Sequence, residues 1–190
     1  QYPDTKADSV EIDSGVTEVA RTYFGFRDEN FPTLTIHHED ARTFVNKNPE
    51  QLYNFILVDA FGSSGRAPFH LVTEEMFERL ARYTAPGGIV VMNTHGSYEG
   101  GGLIYPSALV KTAETAFKYV SLYRYRNTPV NGQNMVLIAS QDMNLPEQIS
   151  IPEYSRITLT RVIPRDDVIT LTDNFAPVEV IWRNRLLQTQ

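Results

Sequence analysis

The chain has 190 residues, 42% of them hydrophobic, enough for one full core and a small appendage, so a single domain is the expectation. A formal net charge of −6, with acids and bases interspersed, leaves no basic stripe to track a phosphate backbone and excludes nucleic acid as an expected partner; it would weakly attract a small cation. The absence of cysteine removes disulfides, thiolate nucleophiles and cysteine metal sites together, and no apolar run approaches the ~20 residues of a membrane helix.

No signal peptide is visible, and the chain opens on Gln1 with a strand following almost at once, so it reads as a fragment of a longer protein. Asp8 to Asp13 alternates as a short strand whose tip carries Glu11 and Asp13. Ser14 is then placed to cap a helix from Gly15 to about Phe24, with Val16, Val19, Ala20, Tyr23 and Phe24 inward and Gly25 closing it. Thr33 to His38 alternates as a second strand ending at Glu39 and Asp40, and Asp40 heads a helix from Ala41 to about Asn46.

The most informative stretch is Tyr53 to Gly65. Its apolar run Phe55 to Val58 reads as a buried parallel strand that delivers Asp59 to its carboxyl end, ahead of a loop of small residues that lets a substrate approach. Thr73 caps the next helix, which runs to about Tyr83, with Val72 and Phe77 spaced as a hydrophobic staple. Pro86-Gly87-Gly88 marks a turn, Ile89 to Asn93 a further buried strand, and the glycines between His95 and Gly102 a lid or a plain connection. A helix from Tyr105 to Tyr119 and two strands, Val120 to Arg126 and Asn134 to Ser140, around Asn131-Gly132 complete the pattern.

The order of elements predicts an α/β fold: a doubly wound, Rossmann-like sheet with a terminal antiparallel hairpin over residues 1–141. Residues 142–190, interrupted by Pro146, Pro152, Pro164 and Pro177, are expected as an irregular appendage packed on that domain. Their apolar Val178, Val180, Ile181 and Trp182 would either pack back on the sheet or form an interface in a homo-oligomer.

Three acidic tips carry the functional expectation: Glu11 with Asp13, Glu39 with Asp40, and Asp59. Taken singly, Asp13 and Asp40 read first as helix caps; taken together, the tips would line one crevice at the carboxyl rim of a parallel sheet. An acid after the second strand of a nucleotide-binding unit suits a ribose diol, and Glu11 is the candidate. His37 and His38 point to opposite faces of a strand, so no metal site is expected from them. Ser63 and Ser64 lack a nucleophile elbow, which argues against a hydrolase triad.

Val10-Glu11-Ile12-Asp13, Glu39-Asp40-Ala41-Arg42, Leu57-Val58-Asp59-Ala60-Phe61 and Ala85-Pro86-Gly87-Gly88, in that order and spacing, resemble the spermidine synthase-like family of the class I S-adenosylmethionine-dependent methyltransferase fold. Leu171 to Glu179 is similar to the carboxyl-terminal signature of members often fused to membrane segments. The resemblance implies a site for decarboxylated S-adenosylmethionine or S-adenosylmethionine as co-substrate, and an amine acceptor. Glu11, beside Asp13, would hold the ribose hydroxyls, Asp40 with Ala41 would meet the adenine edge, and Asp59 would take a proton from the attacking amine.

It also implies aminopropyl transfer to a diamine such as putrescine; a methyltransferase and a catalytically silent binding or scaffold domain on the same fold stand as alternatives. The expected location is cytoplasmic, with a membrane tether only through segments ahead of Gln1. The family pattern Asp-Ser-Ser/Thr-Asp-Pro reads Asp59-Ala60-Phe61-Gly62 here, so its second acid is missing, and the family's first strand and glycine-rich loop have no counterpart.

Overall fold

Two periods in the sequence, two in the strands and near 3.6 in the helices, decide which faces can be buried, and the tertiary pairings then decide where each element ends. A computed structural model of the chain describes residues 5–47, 51–61, 66–125, 133–150 and 157–181. The chain divides into two compact units, Gln1–Pro49 and Glu50–Gln190.

In the first unit, β1 (Ala7–Val10) and β2 (Leu34–His37) form a parallel pair with Val10 opposite His37. Between them runs α1 (Ser14–Tyr23), and α2 (Ala41–Lys47) follows β2. The cap of α1 is Asp13 and not Ser14: its carboxylate accepts the Gly15 N–H at 2.8 Å. Gly25 closes the helix with φ +70°, and the Phe26 N–H reaches back to the Ala20 carbonyl at 3.2 Å. The expected inward stripe is not buried. Val16, Val19, Tyr23 and Phe24 are exposed and Thr17 is the buried residue of α1, since helical spacing marks an apolar face but burial needs a segment packed against it.

The second unit is a six-stranded sheet. Its strands are β3 (Tyr53–Val58), β4 (Thr84–Gly96), β5 (Tyr119–Tyr125), β6 (Gln133–Ser140), β7 (Gln148–Ser150) and β8 (Thr158–Val162), in the order β3-β4-β6-β5-β8-β7. β3 and β4 are parallel, joined through α3 (Glu74–Tyr83); the other pairs are antiparallel. This is the expected α/β sheet with its antiparallel hairpin of β5 and β6, whose turn at Asn131-Gly132 lies outside the described residues.

Two elements end where tertiary pairing puts them. β4 starts directly after α3, well ahead of Ile89, and α4 (Ile104–Ala113) stops short of the expected Tyr119. Tyr119 is instead taken into the ladder opposite Ser140, and the Gln141 amide receives the Lys118 N–H and donates to the Ala116 carbonyl just beyond the helix. One sheet face, carrying Val90, Met92, Leu122, Met135 and Leu137, all within 1% of full burial, is covered by α3 and α4. On the other face Tyr123, Ile138, Leu145 and Leu159 form a cluster, whereas Phe55 and Leu57 on the edge strand β3 are 55% and 57% exposed.

Residues beyond Gln141 do more than drape. β8 extends the sheet by pairing with β5, and Val168, Leu171, Val178 and Ile181 are buried, so these apolar residues pack back on the unit; Val180 is exposed and Trp182 lies outside the described residues. The run Val168 to Leu171 is not a strand. Thr73 sits at the N-cap of α3 but makes no capping bond; fully buried, it donates its hydroxyl to Asp173 at 2.7 Å. One N–H of the helix start is satisfied from a distance instead: the Leu171 carbonyl accepts the Glu74 N–H at 2.7 Å, while the Glu75 carboxylate in turn accepts the Asp173 N–H at 2.9 Å. Asp173→Ala, which removes the carboxylate that accepts from the buried Thr73 hydroxyl, is expected to cost about 1–2 kcal/mol, read as a lower urea midpoint at unchanged slope. A midpoint equal to wild type would show that the clasp contributes nothing.

Candidate active site

The expected site residues lie at strand tips, some in each of the two units. In the first unit Glu11 immediately follows β1, its N–H held by the His37 carbonyl at 2.9 Å. Glu11 Oε1 accepts the Asp13 N–H at 2.9 Å and Oε2 is unengaged among the described residues, so the carboxylate is oriented and one oxygen remains to accept from a hydroxyl. Asp13 caps α1, and Asp40 Oδ1 accepts the Thr43 N–H at 3.0 Å at the head of α2, where Ala41 is the first helical residue. The structural reading of these two aspartates as caps therefore holds, and a cap occupies only part of a carboxylate's acceptor capacity. His37 and His38 are hydrogen-bonded to Asp8 at 2.7 Å and Thr17 at 3.1 Å, on separate partners as strand alternation requires.

In the second unit Asp59 is the first residue beyond β3 and is exposed. The register Leu57 to Val91 and Val58 to Met92 makes Asn93 its neighbour on β4, and Asn93 Nδ2 donates to Asp59 Oδ1 at 3.0 Å. Asp59 Oδ2 has no partner among the described residues. A carboxylate in this setting can accept a proton or grip an ammonium group. The sequence reading found Asp59 but missed Asn93, whose only signal was its place at the end of the next parallel strand.

The loop leaving β4 packs as a connection. The Ser97 N–H donates to the Gly102 carbonyl at 3.0 Å, and a Cβ added to Gly96 would stand 2.4 Å from Pro106 Cγ, so a side chain there is sterically barred. The Arg124 guanidinium lies 4.2 Å from the centre of the Tyr98 ring. Beyond Asp59, the buried Arg66 is ion-paired with the exposed Glu179, which ties the chain after β3 to the carboxyl-terminal segment. Burial pushes the Tyr105 phenol well above its ordinary range, with Arg66 opposing and Glu179 adding to the shift.

A separate polar cleft of about 240 Å³ is lined by Ser107, Lys111, Glu114, Pro164, Arg165 and Asp166, and includes none of the expected site residues. No group of three His, Cys, Asp or Glu among the described residues is arranged to hold a metal, and no helix among them is long and apolar enough to cross a membrane.

Sheet order, crossovers and the strand-tip carboxylates define an α/β protein of the fold shared by spermidine synthases and methyltransferases. A probable spermidine synthase from Corynebacterium glutamicum superposes with a TM-score of 0.65 at 23% identity, over 77% of this chain and 51% of that one. Human methyltransferase-like protein 13 in complex with SAH superposes with a TM-score of 0.59 at 22% identity, over 80% of this chain and 67% of that one. The family described as spermine/spermidine synthase domain matches residues 1–151, and the chain belongs to that family. The polyamine aminopropyltransferase of Vibrio vulnificus (strain CMCP6) is 26% identical over 195 residues, covering 100% of this chain, which spans 60% of that relative's length.

Burial raises the Glu114 carboxyl above its usual range, Asp166 pushes the same way and Lys111 opposes. A raised folded value means that ionising Glu114 weighs against the folded state, so its favourable contribution disappears as pH rises through that value. Glu114→Gln is therefore expected to raise stability by a few tenths of a kcal/mol, allowing for solvent screening, at pH 7 but not at about pH 4. Urea midpoints at the two pH values check this; an equal shift at both would refute it.

Proposed function

We propose that the full-length protein transfers an aminopropyl group from decarboxylated S-adenosylmethionine to a diamine such as putrescine, with Asp59 as the proton-accepting group. The observation that carries the reading is Asp59 itself: a carboxylate at the tip of a parallel strand, oriented through one oxygen and without a partner on the other among the described residues, in a chain of this family. An ammonium nitrogen has no lone pair and cannot attack. A carboxylate that withdraws its proton creates the nucleophile.

Glu11, with its unengaged Oε2, would accept from the ribose hydroxyls beside Asp13, and Asp40 with Ala41 would meet the adenine edge. The Glu11 carboxylate suits a nucleoside, since it retains acceptor capacity after its bond to the Asp13 N–H is made. The SAH bound by the human methyltransferase-like neighbour supports a ligand of that chemistry. Once bound, the sulfonium supplies an electron-poor carbon and a neutral thioether leaving group. The chain's own share is to hold the acceptor nitrogen against Asp59 and remove its proton. Where the second family acid would stand the chain has Gly62, so the distal ammonium of a diamine is gripped less strongly, and an acceptor KM above that of enzymes carrying both acids is consistent with this reading.

The test is to incubate the full-length protein with putrescine and the decarboxylated donor and to quantify spermidine. Wild type should form it, and Asp59→Asn should lower kcat by about 10²- to 10⁴-fold while leaving donor affinity intact. If wild-type protein yields no spermidine, the reading falls.

A further inference from the structure

The ladder next to Asp59 contains a feature that neither a helix cap nor a packing role explains. Asn93 lies inside β4, next to the last pair with β3, Val58 with Met92, and is itself paired with Val136 of β6. Asp59 lies one residue past the end of β3 and is exposed, so its own rotamer would be free without a partner. The two side chains share one sheet face, and the Asn93 amide nitrogen donates to Asp59 Oδ1 at 3.0 Å. The amide orientation follows from chemistry: with the group reversed, two acceptor oxygens would face each other at that distance.

An amide is a particular choice of partner here. It donates a hydrogen bond without carrying charge, so it orients the carboxylate without neutralising it as a lysine or arginine would. It does not titrate and cannot compete with Asp59 for the proton. Binding Oδ1 leaves Oδ2 as the oxygen without a partner among the described residues. Asp59 lies beyond the end of its own strand, so a residue fixed in the β4–β6 ladder is the steadier reference for the carboxylate.

We propose that Asn93 is the positioning residue for Asp59: its amide holds Oδ1 so that Oδ2 is turned toward the nitrogen of the acceptor amine. The inference rests on the aminopropyl-transfer reading for its chemical consequence. The Asn93–Asp59 pair itself is testable without it.

On the full-length protein, Asn93→Leu keeps the volume and removes the donor. It is expected to lower kcat by about 10- to 100-fold with acceptor KM and donor affinity changed less than about twofold, the scale of loss when a supporting group is removed from a working one. Asn93→Gln, which retains the amide, should recover part of that loss. In an Asp59→Asn background, Asn93→Leu should add no more than about a twofold further loss, since the amide acts only through Asp59. A merely structural role predicts equal losses in both backgrounds, and that result overturns the proposal, as does a kcat within twofold of wild type for Asn93→Leu.

The second readout needs no activity. The Asn93 side-chain amide resonances, assigned by their loss in Asn93→Leu, should be displaced from solvent-exposed values in wild type and return toward them in Asp59→Leu. If wild-type protein transfers nothing but the amide shift behaves this way, the pair stands and the transfer reading alone is lost. Amide resonances indifferent to Asp59→Leu overturn the proposal whatever the activity.

Discussion

The second unit depends on β4 being hydrogen-bonded along both edges, parallel to β3 and antiparallel to β6. Thirteen residues long, it spans from the end of α3 to the loop at Gly96, so every later element is referenced to it. Its buried side, Val90, Met92 and Thr94, packs beneath α3 and α4; its other side carries Ile89 and Val91 into the second cluster and Asn93 to the tip. The same alternation thus gives the strand a core role along most of its length and a chemical role at its carboxyl end. A one-residue slip would exchange the two sides and separate Asn93 from Asp59.

The carboxyl-terminal residues complete this unit by exchanging hydrogen bonds with α3 and α4, largely between their backbone and helix side chains. The Leu171 carbonyl accepts the Glu74 N–H at the start of α3, Glu75 accepts the Asp173 N–H, the Leu171 N–H is received by the Thr112 hydroxyl of α4 at 2.9 Å, and the Arg165 N–H by Ser107 at 2.9 Å. Lys111 Nζ donates to the Val168 carbonyl at 2.6 Å. Each bond joins groups at least 57 residues apart, so none lowers the cost of forming a helix locally; together they stabilise the packed arrangement once the sheet exists. The ion pair of Arg66 and Glu179 brings the chain just after β3 under the same control.

For the chemistry, the consequential point is the division of labour among the acids. Asp13 and Asp40 each spend one oxygen on a helix start, Glu11 spends one on the turn between β1 and α1, and Asp59 spends one on a side-chain amide. A capping role and a ligand role are therefore compatible at these positions, because a carboxylate can accept more bonds than a cap requires. Asp59 differs from the other three in that no backbone donor among the described residues holds it. Its orientation comes from a neighbouring strand, which suits a group that must present an oxygen to a substrate.

Read without coordinates, the residues determined the α/β class, β3 and α3, the hairpin strands, the closure of α1 at Gly25 and the placement of Asp59 at a strand tip. These follow from periodicity, from glycine's access to positive φ and from the end of an apolar run, all of them local. The stripe on α1, the end of α4, the capping of α3 by the Leu171 carbonyl and the partnership of Asn93 with Asp59 were decided only by the tertiary structure. The common reason is distance along the chain. A residue's exposure, or the partner of its polar group, depends on what another segment brings to it, and Asn93 and Asp59, 34 positions apart, become neighbours only through the register of two strands.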